Sequence, residues 1–181
     1  LVTPKATAFS IWAVIFLSQT VFCICQMLPH FRGKAMVQKG VGYYFIFACF
    51  FQAQWTLEFA YEKIGVSLVF MIHIWAALSD LLYSQYNTPS EGTLVEFWLL
   101  QFPFAIHCGW VTAALALNDN VLVVGNTAPA HIQLAVGIIS LVMLYAIFVW
   151  VLFAIRKATY TLAAFLYLAS WWIHFGLQPP R

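Results

Sequence analysis

Charged residues divide this chain into long uncharged stretches at 6–31, 40–57, 64–79, 97–118, 120–155 and 158–180, which hold 26, 18, 16, 22, 36 and 23 residues. Each ionised side chain at a bilayer centre costs about 2.5 to 3.5 kcal/mol on insertion scales, so membrane-spanning segments fall between charges. About 20 residues at 1.5 Å each cross a hydrocarbon core of about 30 Å. Five runs meet that length once 120–129 is trimmed as loop, and the run from Ile64 meets it by extending past Asp80. The pattern predicts helices near 7–28, 41–61, 64–83, 95–117, 130–154 and 159–177, joined by short connections. The expected fold is all-α and integral to the membrane, one transmembrane domain over 1–181 built as a compact bundle of about six helices. Barrel strands would read as about ten residues of alternating polarity, and these runs do not alternate.

Composition sharpens this reading. Only 8% of the residues are charged and 64% are hydrophobic, with a mean hydropathy of +0.87. Soluble domains carry about 25% charged residues, so the lipid bilayer is the expected surrounding. A net charge of +2 without a basic run leaves no electrostatic footprint for nucleic acid. The first apolar run is too long and too aromatic for a signal-peptide core and has no small-residue cleavage pattern, so it reads as a retained helix. Arg32, Lys34, Lys39, Arg156 and Lys157 fall on the side of the 1–2, 3–4 and 5–6 connections, against Lys5, Lys63 and Arg181 on the other. That bias places both termini on the outer or lumenal face. Cys23, Cys25, Cys49 and Cys108 lie inside spans as small apolar residues, and no disulfide is expected.

The candidate chemistry is sparse. No nucleophile elbow, phosphate loop or metalloprotease helix motif is present, and ionisable groups in or near the spans reduce to Glu58, His73, Asp80 and His107. The sequence therefore points away from an enzyme. His73 and His107 lie near the middle of their helices, where two readings stay open. Each is either a structural hydrogen bond across helices or a contact to a ligand, including axial ligation of a cofactor metal. His73, Ala77, Asp80 and Ser84 fall within about 60° at 100° per residue, a stripe expected to face protein.

The fourth helix carries Pro103, His107, Trp110, Ala114 and Asn118 within about 80° of arc. Proline frees backbone carbonyls, Gly109 and Ala114 permit close approach, and His and Trp offer flat surface with donors. These are ingredients of a pocket for a flat apolar ligand, and equally of ordinary helix packing. Phe9, Trp12, Phe16, Gln19 and Cys23 form a matching face on the first helix. Trp98 and the Trp171-Trp172 pair read as interfacial anchors, whereas Trp12, Trp55, Trp75 and Trp110 fit that role less well.

These residues resemble the TspO/MBR group of tryptophan-rich sensory and translocator proteins. Thr3-Pro4 followed by Phe9, Trp12 and Phe16 is similar to that group's threonine-proline entry into an aromatic helix. Gln54-Trp55 followed by Phe59 resembles its Asn-x-x-Trp helix. Pro103 through Trp110-Val111-Thr112-Ala113-Ala114 to Asn118 resembles its Pro-Tyr, Trp, Ala-Thr, Leu-Asn helix, with the same interval of eight from Trp to Asn. The resemblance covers residues 3–118 and is closest to the longer TspO-like proteins, with two additional helices over 130–177. It implies a membrane protein that binds a hydrophobic small molecule such as a tetrapyrrole (porphyrin or chlorophyll), a carotenoid or a sterol. Trp12 and Trp110 match the group's ligand-facing tryptophans, and Asn118 matches its helix-ending asparagine.

The site expected from face and resemblance together is Trp12, Phe16, Trp55, Pro103, His107, Trp110 and Asn118, with His107 and His73 as axial ligands should the tetrapyrrole carry a metal. The alternative is an accessory, pigment-holding subunit of a larger membrane complex such as a photosystem or light-harvesting assembly, which would place the chain in a plastid thylakoid. A small-molecule transporter ranks third, because no inverted repeat can be read.

Overall fold

A computed structural model describes residues 9–154, with side chains described up to Ile147 and at Val149. The described residues contain no strand. The helices are α1 (Ile11–Cys25), the single turn α2 (Pro29–Arg32), α3 (Tyr44–Ala60), α4 (Ile64–Asn87), the short α5 (Leu94–Glu96), α6 (Phe102–Gly125) and α7 (Ala130–Ala154). A π-helical segment at Met36–Val41 precedes α3, and a second at Phe97–Gln101 joins α5 to α6 into one continuous 32-residue rod. Among the described residues three helices are long and apolar enough to cross a membrane: Ile64–Asn87, Leu94–Gly125 and, within α7, Ala130–Ile147. The expected helix at 159–177 lies outside the described residues, as do Arg156 and Lys157.

The central element is α6, which is buried on every side from Pro103 to Ala114. It packs against α1, α4 and α7, while α3 lies against α4. The three-residue connection Tyr61–Lys63 makes α3 and α4 antiparallel neighbours, and Glu62 turns that corner at φ 58°. Ala48 of α3, Met71, Ile74 and Leu78 of α4, and Cys108 and Val111 of α6 form one apolar layer. A second, around Phe22, Phe104, Leu81 and Leu100, reaches back to Met36 and Val41 in the first connection. By contrast α7 leaves most of its surface outward, with Leu134, Ile138, Ile139, Val142 and Tyr145 exposed. That is the surface a lipid-facing helix needs.

Two local rules explain the irregular stretch before α6. Thr93 caps the rod through Oγ1, which accepts from the Glu96 backbone N–H at 3.1 Å. Pro103 has no N–H to offer the preceding turn, and the ladder adjusts with the π-helical segment Phe97–Gln101. The Leu100 carbonyl there accepts from Gln85 Nε2 of α4 at 2.7 Å.

Several expectations are corrected. The fourth helix does not stop near Asn118. No glycine or proline interrupts Asp119–Val124, and the helix runs to Gly125, so Asn118 is an interior helical residue and 120–125 is not loop. The stripe of His73, Ala77, Asp80 and Ser84 does not face protein as a whole: His73 and Asp80 are exposed, and α4 instead buries Ser67, Met71, Ile74, Leu78, Leu81 and Gln85. On α1 the inward residues are Ile11, Ile15, Gln19 and Phe22, so of the expected face only Gln19 is fully buried. Trp12 stands at the edge of that face.

The side assignments can be checked at one end. Lys34 Nζ in the 1–2 connection contacts Glu91 Oε2 in the 3–4 connection at 2.5 Å, so these two connections share one end of the bundle.

Candidate ligand-binding site

Where α1, α3 and α6 meet, aromatic rings converge. Trp12 stacks on Phe16 at 5.2 Å and on Trp55 of α3 at 6.1 Å between centroids. Its other edges meet His107 at 5.7 Å and Trp110 at 6.2 Å, both nearly perpendicular. Phe9 stands edge-on to Trp110 at 5.9 Å, and Phe59 stacks on Trp55 at 5.2 Å. Such perpendicular and offset pairs are the favoured arrangements of rings with negative faces and positive edges. The spacing of α1 brings Trp12 and Phe16 onto adjoining turns, and the deep burial of α6 fixes Trp110 behind them.

His107 is 2% exposed and holds the three helices together. Gln19 Nε2 of α1 donates to His107 Nδ1 at 2.8 Å, and His107 Nε2 donates to Gln52 Oε1 of α3 at 3.4 Å. The two contacts together require the neutral ring with its proton on Nε2. Both ring nitrogens are thus engaged. Axial ligation of a metal by His107 would require one of these contacts to open, the longer bond to Gln52 being the weaker.

The tryptophans differ in one decisive respect. Trp75 Nε1 donates to Thr112 Oγ1 at 3.1 Å, a satisfied link between α4 and α6. Trp55 Nε1 and Trp110 Nε1 are buried and, among the described residues, have no acceptor. Asn118 is 3% exposed with both amide atoms in the same condition. It lies eight residues beyond Trp110, about 12 Å along the helix axis at 1.5 Å per residue. A buried polar group without a partner costs about 1 to 3 kcal/mol, and two of these groups, the indoles of Trp55 and Trp110, both flank Trp12.

The chain matches the family described as TSPO-like protein over residues 1–175. It belongs to that family. Comparison with curated proteins and with solved structures found no match. A TSPO-like protein is a helical membrane bundle, in agreement with the long apolar helices described above. The family match continues past residue 118 through α7 and into the segment beyond it.

Of the residues proposed from the sequence, Trp12, Phe16, Trp55, His107 and Trp110 come together in this TSPO-like bundle. Pro103 is fully buried one turn before His107, and Asn118 lies two turns beyond Trp110. His73 is apart from them. It is exposed on α4, its Nδ1 donates to the Val69 carbonyl at 2.7 Å, and its ring lies 4.9 Å from Phe51. Among the described residues no three His, Cys, Asp or Glu side chains converge on a metal-sized site.

Sequence reasoning passed over Gln52 and gave Gln19 no role. An amide inside an uncharged 18-residue run was the available signal for Gln52, since such a group needs a partner in the membrane. Glu96 was passed over too. It is buried, and its carboxylate accepts from Ser90 Oγ at 2.5 Å, the Glu91 N–H at 3.0 Å and Gln101 Nε2 at 3.3 Å. Thr-x-x-Glu at 93–96 was its signature.

Proposed function

We propose that this TSPO-like protein binds a flat, largely apolar molecule bearing hydrogen-bond acceptors, of the tetrapyrrole class, against the Trp12, Phe16, Trp55 and Trp110 rings. The observation that carries the reading is the pair of unpartnered indole N–H groups of Trp55 and Trp110 beside a stack of aromatic faces. The rings supply contact area and the N–H groups accept no substitute but an acceptor atom. A carboxylate-bearing ring meets both demands. Metal ligation is no part of the proposal, since His107 spends both nitrogens on Gln19 and Gln52. His107 positions Trp12 and ties the three helices.

The test uses protein purified in mild detergent and quenching of its tryptophan fluorescence. Protoporphyrin IX carries carboxylates, whereas etioporphyrin presents a similar ring without oxygen. Hydrogen bonds to charged groups are worth about 1.5 to 3 kcal/mol, so protoporphyrin IX is expected to bind at least about tenfold tighter. Trp55→Phe and Trp110→Phe should each narrow that gap. Equal affinity for the two rings overturns the reading.

A further inference from the structure

A second place in the molecule has unspent hydrogen-bonding capacity. A groove of about 280 Å³ runs between the C-terminal half of α6 and the N-terminal half of α7, lined by Asn120 and Val124 on one side and Gln133, Leu134, Gly137 and Leu141 among those on the other. Gly137 keeps the α7 backbone low there, and a Cβ at that position would stand 3.5 Å from Asn120 Oδ1.

The two amides are oriented by backbone carbonyls. Asn120 Nδ2 donates to the Ala116 carbonyl at 2.6 Å and to Ser140 Oγ at 3.2 Å, which spends both its protons. Gln133 Nε2 donates to the Ala128 carbonyl at 2.8 Å, which spends one. A carbonyl cannot donate, so neither amide can be flipped without losing its bond. Among the described residues Asn120 Oδ1 and Gln133 Oε1 accept nothing, and one Gln133 N–H is left over. The groove therefore presents two acceptors and one donor, set in an otherwise aliphatic wall.

We infer that this groove is a binding site for a single-chain aliphatic alcohol, whose hydroxyl donates its one proton to the Asn120 or the Gln133 carbonyl oxygen while its chain lies along Leu134 and Leu141. Size separates this site from the aromatic one. Pockets for drug-sized ligands span about 300 to 1,000 Å³, so a groove of about 280 Å³ takes one chain and excludes a macrocycle. The hydroxyl is the matching head because it both donates and accepts, whereas an ether or an ester offers acceptors only to a site already holding two.

The probes are 1-dodecanol and dodecyl methyl ether, which share a chain and differ in the donated proton. Native mass spectrometry of the detergent-purified full chain reads the fraction carrying one probe molecule. The alcohol is expected to be retained at least tenfold more than the ether. The double variant Asn120→Leu/Gln133→Leu should remove that preference, and Leu134→Trp, at a 66% exposed position that costs no packing, should block both probes. Trp110→Phe should leave alcohol retention unchanged, which separates this site from the porphyrin site. Equal retention of alcohol and ether, or retention of neither, overturns the inference, as does an alcohol preference that survives both groove variants.

Discussion

Replacing His107 tests whether the link between α1, α3 and α6 is what the geometry says it is. His107→Leu preserves bulk but removes the acceptor of Gln19 Nε2, a buried donor at 2.8 Å. Leaving such a donor unsatisfied costs about 1 to 3 kcal/mol. Gln19→Leu removes the other partner and strands His107 Nδ1 at a similar cost. In the double variant both partners of this bond are apolar and neither is stranded by the other, so the two losses should not add. Hydrogen bonds between membrane helices couple by about 0.6 kcal/mol on average and by about 1.7 at most. Full burial of both partners and the 2.8 Å separation place this pair in the upper half, giving an expected coupling of about 1 to 1.7 kcal/mol. The loss of the Trp12 edge contact with His107 and of the 3.4 Å bond to Gln52 occurs in the His107 single and in the double variant, and therefore cancels in the cycle. The assay is unfolding in mixed micelles against the mole fraction of sodium dodecyl sulfate, followed by helical circular dichroism. Strictly additive losses would refute the reasoning and leave Gln19 and His107 as independent space-filling residues.

Trp110→Phe removes an N–H that has no acceptor and also empties part of a packed core position, so the unfolding midpoint in the same assay should fall, by less than the roughly 3 to 5 kcal/mol of a Trp→Ala truncation, while porphyrin affinity falls; unchanged porphyrin affinity would contradict the placement of Trp110 in the site. Glu96→Ala withdraws the acceptor of Ser90 Oγ, the Glu91 N–H and Gln101 Nε2 and should cost about 1.5 to 3 kcal/mol, whereas Lys34→Ala, which breaks an ion pair with a 56% exposed Glu91, should cost less than about 1, both read by the same unfolding assay. In a background without the four native cysteines, Gly33→Cys and Pro89→Cys should label from one face of sealed vesicles and Asn126→Cys from the other; any other pattern contradicts the helix order between them.

Spacing of charges located the helices because the cost of burying a charge in lipid acts on every residue alike. It set the start of α4 and the start of the Leu94–Gly125 rod within a turn. It failed at the end of α6, because a polar Asn-Asp-Asn run looks like a loop, yet no glycine or proline interrupts it and Asn120 bonds back to the Ala116 carbonyl within the helix. Helical angle and the family resemblance together singled out Trp12, His107 and Trp110, and the structure brings these three rings into contact where α1 meets α6. Helical angle misplaced His73, because periodicity defines a polar face without saying whether that face turns inward. Nor could it find the Gln52 contact with His107, a pairing between residues 55 apart that no local rule encodes.

The bond from Gln85 to the Leu100 carbonyl bears on how the chain is made. An unpaired carbonyl in hydrocarbon costs several kcal/mol, so a side chain that donates to the irregular turn before Pro103 eases the entry of that turn into the membrane. Gln85 precedes Leu100 by 15 residues, so the donor is synthesised before the carbonyl it serves. The α4–α6 hairpin thus carries its own repair and can insert as a pair while α7 is still being synthesised.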